Sequence, residues 1–304
     1  MIKLYYPLFK KKFFLINISF LILVYYQIYK NKNKSIKVCI CTLGKNENRY
    51  IIEYIKHYEK YGIDKIYLYD NNNINGERFE SKIIEYINKG LVELKNWRGL
   101  KAQQENILND CYKKNNNKYD WIIFNDIDEF IYLKNYFNIK EFLKANHFNK
   151  CQIIYLNWLM HTDNNHMYYN NKSLFERFTE IYNKSNNDNE FRIYNSGKSI
   201  IRGNISNINL YHAHYLTDKL KICNSFGKRI NMKYKKMDIN NYYFNHFYCK
   251  SVEEFINKLK RGSASNGKKN YEIKIFRYFY YNKITDEKIN YIERKIGLNI
   301  LFFY

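Results

Sequence analysis

Asp126 and Asp128 lie two residues apart, directly after the apolar run Trp121-Ile122-Ile123-Phe124. If the backbone stays extended there, both carboxylates face one site while Ile127 points back. Two carboxylates that close repel one another, and a divalent cation relieves that cost. Oxygen donors favour Mg²⁺ or Mn²⁺, with water and a substrate phosphate completing the shell. The chemistry this spacing allows is a metal–diphosphate clamp. An acidic pair also occurs in ordinary surface turns. Here the buried-strand pattern before it and Phe130-Ile131 after it favour a site.

The elements that must position this pair alternate strand and helix, the pattern of an α/β sheet domain. Residues 37–42 (KVCICT) read as a buried strand, and 49–61 carry apolar residues at helical spacing up to Gly62, a C′ glycine. A second strand, 65–69, stops at Asp70-Asn71-Asn72-Asn73, which is loop chemistry. A short helix at 83–88, a strand at 91–95, a helix at 101–113 and the strand 121–124 follow. Residues 153–158 give a fifth strand. Beyond Met167 the pattern is less regular, with helices predicted at 252–259 and 286–295. Ligands of open α/β sheets bind at the carboxyl ends of the strands, so Thr42, Asp70 and the Asp126/Asp128 pair should converge on one cleft.

The 304 residues are ample for a real core, and 46% hydrophobic with 19% aromatic content excludes a disordered or collagen-like chain. Lys+Arg 51 against Asp+Glu 29 gives 51 − 29 = +22. That charge predisposes the chain to phosphates, anionic lipids or nucleic acid, although the lysines are scattered and solvated faces account for much of it. Four parts are expected: a basic tail at 1–12, an apolar segment at 13–29 flanked by lysines, a polar stem at 30–36 and a folded domain at 37–304. The apolar segment is just long enough to span a bilayer. It lacks a small-residue cleavage site, which favours an uncleaved transmembrane signal anchor over a cleaved signal peptide or an amphipathic helix. Six cysteines without a CxxC pair exclude common zinc spacing and would suit disulfides in a secretory lumen, with the pairing left open. Asn-X-Ser sequons stand at Asn33, Asn171, Asn183 and Asn204.

The ordered set Cys41-Thr42-Leu43-Gly44-Lys45-Asn46-Glu47, Asp70-Asn71-Asn72 and Tyr119 to Phe130, with Leu174-Phe175-Glu176-Arg177-Phe178-Thr179, Asn245 to Phe255 and Lys260-Arg261-Gly262, resembles the family 92 glycosyltransferases and their family-2-like relatives. The resemblance spans roughly residues 37–262. It implies a GT-A fold, a Rossmann-like nucleotide-sugar-binding sheet with helices on both faces, in a type II membrane protein of the Golgi or secretory lumen. It implies a UDP-sugar donor, a glycan or glycoprotein acceptor and Mn²⁺ or Mg²⁺, with no nucleic-acid partner. Asp126 then matches the ribose and metal contact, and Asp128 the metal–diphosphate contact. Asp70 matches the uridine contact, Thr42 and Glu47 the nucleotide loop, and His246 a late residue at the metal or diphosphate. Lys250, Lys260 and Arg261 are candidates to assist the diphosphate. The run Trp158-Leu159-Met160-His161-Thr162-Asp163 departs from the relatives, which carry a glycine-containing loop there.

An inverting displacement, as the resemblance implies, needs a base for the acceptor hydroxyl. Asp163 and Glu176 are the candidates; each also has a bland use, as a turn residue and as a partner of Arg177. His212 and His214 form an HxH pair that could bind metal or simply pack. Trp97 and Trp158 could stack on a sugar or serve the core. A nuclease would not need the apolar segment. A haloacid-dehalogenase-type phosphatase would need Thr or Val where Phe130 stands. A non-catalytic, membrane-anchored sugar- or nucleotide-binding protein with a vestigial DxD is the remaining alternative to a hexosyltransferase.

Overall fold

The computed structural model describes residues 35–182, 196–212, 214–233, 237–262 and 271–297. The chain divides into two compact units, 1–36 and 37–304, and every described strand and helix belongs to the second. The 13–29 segment, Asn33 and Asn183 lie outside the described residues; among those described, no helix is long and apolar enough to cross a membrane.

Strand β1 (Val38–Gly44) is buried almost throughout, as an apolar run without polar alternation requires. It pairs in parallel with β2 (Lys65–Asp70) and β4 (Trp121–Phe124), and β2 pairs in parallel with β3 (Val92–Asn96). Their helices are α1 (Ile51–Lys60), α2 (Glu80–Asn88) and α3 (Gln104–Asn115). Gly62 follows α1 with φ +76°, the left-handed geometry expected of a C′ glycine. Helix α3 covers one face through Ile107, Leu108, Cys111 and Tyr112, against Cys39, Cys41, Tyr67, Tyr69, Ile122 and Phe124. The alternate residues Val38, Ile40, Ile66, Leu68 and Ile123 are equally buried, so both faces of the sheet are covered. A disulfide joins Cys41 of β1 to Cys111 of α3.

The second half turns antiparallel. Strand β7 (Gly197–Arg202) pairs with β4 on one side and with β6 (Ile153–Met160) on the other. Strand β6 also pairs in parallel with β8 (Ile222–Cys223) and with β9 (Tyr242–His246), which itself pairs with β5 (Glu129–Leu133). The sheet order is β3-β2-β1-β4-β7-β6-β9-β5, with β8 beside β6. A second disulfide, Cys151–Cys223, ties the start of β6 to β8, while Cys39 and Cys249 are buried thiols.

Short helices α4 (Ile139–Leu143) and α5 (Leu174–Arg177) precede α6 (Val252–Arg261), α7 (Tyr271–Tyr281) and α8 (Asp286–Ile296). Capping boxes start α5 and α6: Ser173 with Glu176, and Ser251 with Glu254. The predicted helices at 252–259 and 286–295 match α6 and α8. Strands β5, β7 and β9 and helix α7 lie in stretches whose sequence pattern is weak. Asn171 and Asn204 are exposed.

Candidate functional site

The carboxyl ends of β1, β2 and β4 lie side by side, which brings Thr42, Asp70 and Asp126 to one edge of the sheet. Beyond β4 the chain does not stay extended. The Glu129 N–H donates to the Asp126 carbonyl at 3.1 Å, closing a turn over 126–129. This corrects the expectation that Asp126 and Asp128 project together from a strand. Ile127 is buried, as expected, and packs at Gly44. The two carboxylates meet different cations.

Asp126 accepts from Lys198 Nζ at 2.8 Å. Lys198 is reached because β7 runs antiparallel to β4, with Ser199 opposite Phe124. The preceding Gly197 sits so close to β6 that a Cβ would lie 2.0 Å from the Leu156 carbonyl oxygen. Only glycine permits that approach. Lys198 Nζ is also 3.8 Å from Glu129 Oε1. Burial alone would lower the Lys198 ammonium, but Asp126 and Glu129 hold it above the usual lysine range.

Asp128 is almost wholly buried, with Lys258 Nζ at 2.8 Å and Lys250 Nζ at 3.2 Å. Burial would raise its carboxyl; Lys250, then Lys258, hold it well below the usual carboxylate range. Glu129 is fully buried, and burial raises its carboxyl well above normal because Lys198 offsets only part of the effect. His246 Nε2 stands 3.7 Å from Asp128 Oδ1 and 3.8 Å from Glu129 Oε1. Burial depresses the His246 imidazole far enough to leave it neutral, so its contact with Asp128 is not an ion pair.

Ligand atoms of Asp128, Glu129 and His246 lie within 4.8 Å of one another, the one such cluster among the described residues. Glu129 Oε1 and His246 Nδ1 are both buried without a hydrogen-bond partner. A neutral imidazole and two carboxylates, with buried acceptor capacity left over, form a donor set that fits a divalent cation.

A cavity of about 350 Å³ adjoins this cluster, and Lys250 and Lys258 line it together with Lys45, Glu47, Arg49, Tyr50, Lys260 and Arg261. Arg261 bonds the Glu47 carboxylate and, at 2.6 Å, the Lys45 carbonyl. Lys250 adopts φ +55° at the turn into α6, an unusual conformation for lysine that aims its side chain at Asp128. The scaffold beneath is a buried bidentate pair, Arg177 to Glu254 at 2.7 and 3.0 Å, with Tyr50 donating to Glu254 at 2.5 Å. Thus the 174–179 and 245–255 motifs of the sequence are joined by Arg177 and Glu254.

The structure therefore gathers Glu47, Lys250, Lys260 and Arg261 around one cavity, and ties Asp128 to its wall through Lys250 and Lys258. Thr42 and Asp126 share a small hollow with Gln104 and Lys198. Asp70 is held apart: Arg98 Nη1 lies 2.6 Å from its Oδ2, and Asn72 donates twice to its Oδ1. Arg98 also donates to the carbonyls of Asn73, Ile74, Gly76 and Glu77, fastening that loop over Asp70.

Neither candidate base lines the cavity. Asp163 is buried against Lys288 at 2.7 Å and accepts from Tyr278, while its N–H donates to Asn282. These contacts dock α7 and α8. Glu176 closes the α5 capping box at the surface, and Ser173 holds its carboxyl below the usual value. Trp97 packs on Tyr69, while Trp158 leans on His246 at 4.2 Å between ring centroids. His212 and His214 sit in a tight turn closed by the His212–Leu216 bridge, not along a strand. Sequence reasoning does not single out Glu129 or Lys198. Glu129 carries a signal, as the third carboxylate of the motif; Lys198 carries no local one.

Carboxylates, a buried histidine and lysines thus meet near the strand ends of a mixed α/β sheet. The sequence model of glycosyltransferase family 92 matches residues 34–296, and the chain belongs to that family. It is 28% identical over 109 residues to a glycosyltransferase family 92 protein of Ricinus communis, a match covering 36% of this chain and 19% of that protein. The chain thus aligns with about a fifth of that relative's length. A crystal structure of S. aureus TarS is 14% identical over 88% of this chain and 71% of that one, with a TM-score of 0.40. The mannosyltransferase PcManGT from Pyrobaculum calidifontis, in complex with GDP-Man and Mn²⁺, is 11% identical over 44% of this chain and 42% of that one, with a TM-score of 0.32.

Proposed function

We propose that this chain is a metal-dependent glycosyltransferase of GT-A architecture. It moves a hexose such as galactose from a UDP-sugar onto a hydroxyl of a glycan or glycoprotein, with inversion. The observation that carries this reading is the Asp128–Glu129–His246 cluster, whose lysine partners line a cationic cavity at the strand ends. A divalent cation held by those three residues supplies Lewis-acid neutralisation of the leaving diphosphate. Lys250 and Lys258, resting on Asp128, are within reach of phosphate oxygens once a donor enters. Arg261, fixed by Glu47, lines the same wall. Asp126, the more exposed carboxylate of the pair, is available to the ribose.

Residues 13–29 serve in this reading as a type II signal anchor that places the domain in the Golgi or secretory lumen. The two disulfides suit that oxidising compartment. A second reading has one observation in its favour: Lys250 and Lys258 already neutralise Asp128, as they would in a non-catalytic nucleotide-binding protein that needs no cation.

The deciding experiment incubates the full chain with a panel of UDP- and GDP-sugars, with and without Mn²⁺, beside Asp128→Asn. Metal-dependent turnover of one donor, lost in the variant, is expected. Turnover of none, with UDP binding indifferent to Mn²⁺, would favour the second reading.

A further inference from the structure

Helices α6 and α7 pack side by side with cations on both. The Phe255 and Tyr278 rings stack at 4.2 Å between centroids and hold the pair together. Lys258 and Arg261 stand three apart on α6, and Lys274 and Arg277 three apart on α7, spacings that place each pair on one helix face. Tyr248 joins the two helices. Lys258 Nζ lies 4.1 Å from its ring centroid, and the Arg277 guanidinium 5.7 Å from it. Tyr248, Lys258 and Arg261 line the cavity described above; Lys274 and Arg277 do not, so they flank it.

The four cations are unequally provided for. Lys258 has Asp128 and Arg261 has Glu47, but among the described residues no carboxylate lies within ion-pair distance of Lys274 or Arg277. Arg277 bonds the Tyr248 hydroxyl, yet its Nε is buried without a partner. Lys274 is half-buried, and burial, then Lys258, Arg261 and Arg277, pull its ammonium down to about 8. Like charges drawn partly out of water are costly unless an anion shares them. A buried donor left over is the arrangement expected where an outside acceptor completes the bonding. Ammonium groups and a guanidinium fork suit a tetrahedral oxyanion, phosphate or sulfate, through charge-assisted bonds.

The leaving diphosphate already has the cation site, Lys250, Lys258 and the wall around Arg261. We propose that Lys274 and Arg277, with Lys258 and Arg261 beside them, hold a second oxyanion, a phosphate or sulfate group borne by the acceptor; this rests on the transferase reading above. The acceptor is then an anionic glycan, tethered at α7 beside the donor cavity.

The test titrates sulfate by calorimetry into the full chain saturated with UDP and Mn²⁺, with chloride at equal ionic strength as the control. Wild type should bind sulfate, and the double variant Lys274→Gln with Arg277→Gln should bind it ~10-fold more weakly or worse, the loss expected for one or more charge-assisted bonds. UDP affinity in Mn²⁺ should stay within about 2-fold of wild type in that variant, a difference well below one such bond. With the UDP-sugar that wild type turns over fastest, hexose 6-phosphates should be used ~10-fold better than the free hexoses, and the preference should vanish in the double variant. No sulfate binding by the UDP-saturated wild type would overturn the assignment, whether or not the variant folds. So would a loss of UDP affinity equal to the loss of sulfate, which would return both cations to the donor diphosphate. No preference for the phosphorylated hexoses in wild type would overturn the acceptor role. A wild type with neither UDP binding nor donor turnover would instead bring down the transferase reading, and sulfate titrated without UDP would then read the anion site separately.

Discussion

Glu129 on β5 and His246 on β9 are direct cross-strand partners, with Glu129 Oε1 3.8 Å from His246 Nε2. Opposed residues on one sheet face are held at short Cβ separation by the ladder itself. The pairing therefore fixes two donors of the proposed cation site in the rigid backbone, and only Asp128 enters from a turn. Lys198, paired with Asp126 and 3.8 Å from Glu129, is the resident counter-ion beside that site.

Removing that counter-ion should make stability depend on metal. Lys198→Met leaves Asp126 and the buried Glu129 without their cation, which destabilises the fold. The expected outcome is a markedly lower Tm in EDTA and a larger Tm gain on adding Mn²⁺ than wild type shows. Equal Mn²⁺ gains in both proteins, followed by thermal denaturation, would contradict the shared-site account.

The two carboxylates that the sequence offers as bases should behave as structural residues of unequal weight. Asp163→Ala strips the partner from buried Lys288 and should destabilise the fold by about 3–5 kcal/mol. Glu176→Gln keeps much of an exposed capping box and should leave both stability and kcat nearly unchanged. Urea unfolding beside a transfer assay checks both. A kcat loss of ~100-fold or more in Glu176→Gln at unaltered stability would restore it as the base.

Stability should fall on mild acidification, in part through His57. Its Nε2 lies 2.9 Å from the Ile131 carbonyl, and burial lowers the ring to about 4. An unfolded histidine titrates near 6.5, so between about pH 6.5 and 4 the unfolded chain binds the extra proton. The contribution is complete above pH 6.5 and lost as pH falls through that window, by roughly 3 kcal/mol from this residue. His57→Gln should flatten the slope of unfolding free energy between about pH 6.5 and 4.5. An unchanged slope would contradict the assignment.

Much of the parallel half was legible because its signals are local. Residues 37–42, 65–69 and 121–124 are apolar runs ended by polar residues, and Gly62 marks the end of α1. The conformation of 126–129 was not legible, since the Glu129 N–H to Asp126 carbonyl bond that bends the chain competes with extension only once β5 has paired. Lys198 meets Asp126 across 72 residues of sequence, and Asp163 finds Tyr278 across 115. Such partners are chosen by antiparallel pairing and helix docking, which leave no periodicity to read. The late motifs around Arg177 and Glu254 were visible as motifs, but their joining by a bidentate ion pair is tertiary information.

The most direct measurement is calorimetric titration of UDP into the full chain, in Mn²⁺ and in EDTA, for wild type and Glu129→Gln. Binding in Mn²⁺ is expected, lost in EDTA and weakened by more than ~100-fold in the variant, since even outer-shell changes weaken metal sites by about 10–100-fold. UDP affinity that is the same in EDTA as in Mn²⁺, and untouched by Glu129→Gln, would contradict it.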